Sequence, residues 1–141
     1  MMKEKRIFQP VSSKDVCLTY ELLLKRKFIS FPLTDEGRAK ADAIVANITA
    51  HYFGEEIYKS NEEKAIAYLY FLIKDHPFTD GNKRTASLVF EIVCELNELR
   101  PHYENYTLDV LAVYIEKVQE KNHQNVIRLL SEIIFQETGA L

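Results

Sequence analysis

Apolar positions along this chain recur at three- and four-residue intervals, the period of helices that each turn one face to a core. The first stretch carries Val16, Tyr20, Leu23 and Leu24 behind Ser12 and Asp15, a pair with the spacing of a capping box. After a turn from Pro32 to Gly37, a second stretch sets Ala41, Ile44, Val45, Ile48 and Tyr52 on one face and ends at Gly54. Ser60 and Glu63 open a third helix, apolar nearly all round from Ala65 to Ile73, as a helix in the centre of a bundle is. Pro77 disfavours α geometry in the residue before it, so this helix should stop at about Asp75 or His76. A fourth should run from about Asn82 to Leu99, apolar on most faces through Ala86, Leu88, Val89, Phe90, Ile92, Val93 and Leu96, with Pro101 preventing continuation. Thr107 caps a fifth with Leu111, Tyr114, Ile115 and Val118 in register. A turn at Lys121 to His123 leads to a sixth with Val126, Leu129, Leu130, Ile133 and Ile134. Strand signals are weak. The pattern predicts an all-α bundle in which one short loop joins the two most buried helices.

Composition changes this picture little. The 141 residues suffice for one domain, taken as residues 1–141, and the four Gly and four Pro are too dispersed to form a linker. Hydrophobic residues at 47% and charged residues at 28% exclude a disordered tail. The apolar run from Ala65 to Ile73 is too short to cross a bilayer, and Met1 to Lys5 lead into no secretory h-region, so no membrane partner is expected. A formal charge of −3 argues against a nucleic-acid-binding face while allowing a local basic pocket. Cys17 and Cys94 form no CxxC pair and read as free thiols of a reducing cytoplasm.

The connecting loop is where chemistry concentrates: His76-Pro77-Phe78-Thr79-Asp80-Gly81-Asn82-Lys83-Arg84-Thr85-Ala86. Phe78, flanked by polar residues, is an anchor that fixes the loop's path. Gly81 permits close backbone approach or positive φ. Asn82 is expected as the N-cap, leaving the amides of Lys83, Arg84 and Thr85 pointing outward, a ready anion site. Lys83 and Arg84 add cations, and Arg84 can grip a phosphate with two parallel hydrogen bonds. Asp80, surrounded by positive potential, is suited to Mg²⁺ bridging phosphate oxygens. His76 can take a proton from an incoming hydroxyl. Each feature alone is commonly structural; together, between two core helices, they point to a nucleotide's phosphates beside a hydroxyl nucleophile. A P-loop is excluded because the upstream glycine is missing, and a closed zinc site because further ligands are.

HPFTDGNKRTA resembles the signature of the Fic/Doc (Fido) proteins, all-helical enzymes that modify protein hydroxyls using nucleotides, and the helices around it from about Ser60 to Leu99 fit that family's core. The resemblance implies His76 as base, Asp80 as Mg²⁺ carboxylate, Gly81 and Asn82 lining an anion hole, Lys83 and Arg84 holding phosphates, and ATP as co-substrate. Two positions depart from the AMP-transferring pattern HPFx(D/E)GNGRxxR: Lys83 stands for its second glycine and Ser87 for its second arginine. The GNKRTA form is similar to the Doc (death-on-curing) toxins. That likeness implies transfer of the γ-phosphoryl group to a translation elongation factor, with AMP transfer as the alternative. The inhibitory pattern [ST]xxxE[GN] is nearly matched only at Ser87 to Glu91, followed by Ile92 inside the post-motif helix, so restraint by an antitoxin-like partner in trans is implied. Phe53 to Lys59 stands where the family has a β-hairpin flap that docks the target, here Gly54, Glu55, Glu56, Ile57 and Tyr58; Tyr58 is also a candidate for automodification. His51, His102 and His123 lack ligand spacing and read as surface or capping residues. A chain that binds nucleotide or a partner without turnover, as a module of a larger regulator, is the competing reading.

Overall fold

The computed structural model describes residues 6–102 and 107–135. Among them are six helices: α1 (Ser13–Lys25), α2 (Asp35–Ile48), α3 (Asn61–Lys74), α4 (Asn82–Leu96), α5 (Leu108–Lys117) and α6 (His123–Ile134). A two-stranded antiparallel hairpin, β1 (His51–Tyr52) and β2 (Glu55–Glu56), connects α2 to α3, with His51 opposite Glu56 and Tyr52 opposite Glu55. The fold is all-α apart from that hairpin. None of these helices is long and apolar enough to cross a membrane.

Local chemistry accounts for the helix starts. Ser12, Thr34, Ser60, Thr107 and Asn122 each accept a hydrogen bond from the backbone N–H three residues on, an interaction worth about 1 kcal/mol per helix. At Ser60 the box also closes side chain to side chain, the Ser60 hydroxyl donating to Glu63 at 3.2 Å. The start of α4 differs. Its N-cap is Gly81, in the left-handed region at φ 72°, and no side chain caps it.

From Ala65 to Tyr70, and again at Leu72 and Ile73, α3 is fully buried. It packs against α4, α6, α2 and α5, while α1 lies across α2 and α4. Tyr68 puts a hydroxyl into this core without penalty, donating to Val11 O at 2.6 Å and accepting from Val11 N at 3.1 Å. Asn97 does the same for Gln9, with bonds of 2.6 and 2.9 Å that seat the N-terminal segment against the end of α4.

Several boundaries differ from the sequence expectation. The second helix stops at Ile48 rather than carrying Tyr52 to Gly54: Tyr52 enters β1, 59% exposed, and Gly54 serves the hairpin turn. Gly37 is not a turn residue but sits in the first turn of α2, where a β-carbon would stand 3.1 Å from the carbonyl oxygen of Pro77. The fourth helix ends at Leu96, not Leu99, because Glu98 adopts φ 54° and the Leu99 amide turns back to Cys94 O, the Schellman closure. Leu129 and Ile133 are outward, and the fully buried residue that periodic reading missed on α6 is Ile127. His123 is more than a surface residue: its Nδ1 lies 2.5 Å from the Tyr70 hydroxyl.

Candidate functional site

The helix-like stop at the end of α3 delivers His76. Asp75 is the C-cap and His76 follows at φ 45°. Left-handed backbone costs a non-glycine residue about 1–3 kcal/mol. Lys27 after α1 and Glu98 after α4 take the same conformation, but there the next amide, of Phe28 or Leu99, is bonded to Leu23 O or Cys94 O. Pro77 has no N–H to offer, so His76 holds this geometry without that bond. The imidazole is exposed at the head of the loop. Behind it the Asp75 carboxyl is pushed up by burial, against the opposing pull of His123, His76 and Lys40.

Phe78 is buried, and its ring stacks on Tyr20 of α1 with centroids 4.2 Å apart. The Tyr20 hydroxyl donates to Phe31 O at 2.6 Å and its pKa is raised, first by burial and then by the charge of Asp80. Asn82 corrects an expectation. It is the first residue inside α4, not the N-cap, and its side chain turns back onto the loop. The Phe78 N–H donates to Asn82 Oδ1 at 2.9 Å, and Asn82 Nδ2 donates to Phe78 O at 2.8 Å. The asparagine therefore staples the loop, and the glycine before it supplies the cap position.

Gly81 is required twice over. Its φ of 72° suits glycine, and a β-carbon there would stand 2.7 Å from Ile29 Cδ1. With no side-chain cap, the first-turn amides of α4 face outward beside exposed Asp80. The two cations are steered by different partners. Lys83 Nζ lies 3.3 Å from Glu116 of α5, and the Arg84 guanidinium sits 5.1 Å from the centre of the Phe28 ring. Lys83 and Arg84 thus leave the first turn of α4 in different directions, Lys83 towards α5 and Arg84 towards the α1–α2 connection.

The hairpin overlaps the Phe53 to Lys59 segment expected as the flap, but begins at His51 and ends at Glu56. Phe53, fully exposed, and Gly54 take positive φ of 53° and 81° at its tip, the two-residue turn that suits the twist of paired strands. Glu55 is exposed and Glu56 half-buried. Tyr58 is not offered to solvent: it is 5% exposed, edge-on to Phe71, with its phenol pushed up by burial to about 12. That environment argues against the suggestion of automodification at Tyr58. A cleft of about 1010 Å³ lies at the other end of α3 and α4, around Asn61, Glu63, Cys94 and Asn97, away from the motif.

Tyr20, Phe28, Ile29, Gly37 and Glu116 contact motif residues; the sequence offered Tyr20 only as a core position and Gly37 only as a turn residue, and did not mark the other three. All five are ordinary by residue type, and their roles at the motif depend on tertiary neighbours.

No curated protein matches this chain. A family model described as the Fic/DOC family matches residues 10–94, which spans α1 to most of α4 and takes in the whole motif loop. With more than half its length matched, and with the helical architecture above, the chain belongs to the Fic/DOC family, whose members are in general nucleotide-dependent protein-modifying transferases.

Proposed function

We propose that this protein transfers the γ-phosphoryl group of ATP to a hydroxyl of a target protein, acting in the cytoplasm as the toxin of a toxin–antitoxin pair with a translation elongation factor as target. The start of α4 carries the reading. It is the one described helix without a side-chain cap, it begins in a left-handed glycine, and the loop that leads into it carries the exposed His76 and Asp80. Free amides and the positive end of the helix favour a polyphosphate there, with Arg84, its guanidinium 5.1 Å from the centre of the Phe28 ring, supplying a full charge in the first turn.

His76 takes the proton of the target hydroxyl as its oxygen attacks the γ-phosphorus; the bond from that phosphorus to the β–γ bridging oxygen breaks, and ADP leaves. Positioning and charge neutralisation do most of the work in such a transfer. Among the described residues no three His, Cys, Asp or Glu side chains converge to hold a metal by themselves. Mg²⁺ is commonly held by one or two carboxylates together with substrate phosphates, and the exposed Asp80 beside the helix mouth fits that arrangement. When bound, Mg²⁺ would neutralise charge on the phosphate oxygens. Asp80 would hold it, the α4 amides would orient the phosphates, and the Tyr20–Phe78 stack would keep the loop in register.

AMP transfer is the second reading, and one observation favours it. Lys83, which stands in place of a glycine of the AMP-transferring pattern, is drawn to Glu116 instead of filling the helix mouth. What speaks against AMP transfer is then Ser87 in place of the second arginine, which removes a clamp on the γ-phosphate of the AMP-transfer pose.

Incubation of the purified chain and an elongation factor with ATP labelled at the α or the γ position tests the reading. Label from the γ position alone, with a phosphate-sized mass increment on the target and its loss in His76→Ala, is the expected result. Label from the α position replaces it with AMP transfer. ATP binding without any transfer leaves a nucleotide-binding module.

A further inference from the structure

Lys64 is the one charged residue among the buried polar residues of the described core, 2% exposed on the second turn of α3. A lysine is almost never found so deep without a partner. Its ammonium donates to Glu56 Oε2 of β2 at 3.1 Å, and the Phe8 ring lies 5.7 Å away on another side. From the opposite strand His51 Nε2 comes within 3.8 Å of the other Glu56 oxygen. The hairpin is thus pinned through its second strand to the central helix. Without that tie it is short: two residues per strand, with an exposed Tyr52 and Phe53 at the tip. Isolated hairpins even longer than this are marginal in water.

We propose that Lys64 is a positioning residue that holds the β1–β2 hairpin, and with it the exposed Tyr52–Phe53 tip, in place for docking the target protein. The geometry of α3 gives the tie its purpose. The same rigid helix carries Lys64 near its start and ends at Lys74, two residues before His76; the ten steps from Lys64 to Lys74 span about 15 Å. Fixing the hairpin to α3 therefore fixes the docking edge relative to the base, which a loose connection would not do. Tyr58, buried on Phe71 of the same helix, closes the hairpin's exit and supplies a second point of attachment. The proposal rests on the reading of the hairpin as the element that meets the target.

Lys64→Met tests it, because methionine fills similar volume and removes the buried cation, while Glu56, at a half-buried position, keeps its access to water. In the full chain, amide hydrogen exchange over residues 52–57 should rise by roughly tenfold or more while residues 66–73 of α3 keep their protection. KM for a purified translation elongation factor should rise about tenfold, with kcat and the Kd for Mg²⁺-ATP within about twofold of the parent. Glu56→Gln, made at a half-exposed position, should change both readouts in the same direction and serves if Lys64→Met does not fold. Unchanged hairpin exchange in the folded variants overturns the tie itself. A loosened hairpin with unchanged KM overturns its part in docking. Absence of transfer by the parent chain sinks the proposed reaction and, with it, the docking role, while the exchange measurement still decides whether Lys64 holds the hairpin.

Discussion

Ile29 occupies the space that a side chain at position 81 would need: a β-carbon on Gly81 would stand 2.7 Å from Ile29 Cδ1 and 2.8 Å from Cγ1. The α1–α2 connection and the helix mouth are therefore shaped to one another. Gly81→Ala should cost about 1–3 kcal/mol from backbone strain alone, plus a penalty for the collision. Ile29→Ala in the parent opens a cavity and should cost about 2–5 kcal/mol. In the Gly81→Ala background it should cost clearly less. Urea unfolding of the four chains checks this, and additive losses would show that Ile29 yields freely.

His76 carries backbone strain that its chemistry does not need for folding. Replacing it by Gly, which adopts φ 45° without a Cβ penalty, should leave stability unchanged or raise it by up to about 1 kcal/mol. Transfer to protein should vanish. Thermal melts beside labelled-ATP assays give both answers, and a marked loss of stability would mean that the imidazole makes a structural contact that outweighs the strain.

Glu116 should tune the phosphate site through Lys83. The pair is partly exposed, with side chains 34% and 45% accessible, so its own stability is small, about 0–1 kcal/mol. Glu116→Gln frees the ammonium to lean over the start of α4. ATP should then bind about two- to fivefold more tightly at low ionic strength, an advantage that salt erodes. Calorimetry at two salt concentrations measures it, and Lys83→Ala should remove the gain. Equal affinity of parent and Glu116→Gln at low salt would sever Lys83 from the phosphate site.

Alkaline pH should destabilise the chain in a defined window. Burial pushes the Cys94 thiol up to about 12, and the same cause pushes the Tyr58 and Tyr68 phenols to about 12. Between the ordinary values of 9.0 and 10.0 and about 12, the folded chain keeps protons that the unfolded chain releases, so stability falls as pH rises through that range. Denaturation midpoints from pH 7 to 11 should be level up to about 8.5 and then decline. Native Cys94 should resist iodoacetamide at pH 8 and react once the chain is unfolded. Rapid native labelling of Cys94 would contradict its burial.

The helices were legible because their causes are local. Ser12, Ser60, Thr107 and the apolar period from Ala65 to Ile73 act within one or two turns, so a short window contains the whole argument. Boundaries failed where a local signal had more than one solution. Gly54 could end a helix or make a hairpin tip, and pairing of His51–Tyr52 with Glu55–Glu56 decided for the hairpin. Asn82 is as good an N-cap as any by residue type. It was taken instead by the two backbone groups of Phe78, which become available only once Phe78 has found Tyr20 in the core.

By itself the sequence determined that six amphipathic or buried helices would form and that the family's motif would lie between the third and fourth, because spacing, caps and the motif are written in consecutive residues. Tertiary structure alone decided the rest. It set Ile29 against Gly81, Phe28 under Arg84, Glu116 beside Lys83 and Lys64 beneath the hairpin. Each of these pairs joins residues from different elements, and in several both partners are commonplace by type. No period in the chain encodes such a meeting; it follows only when the helices close on a common core.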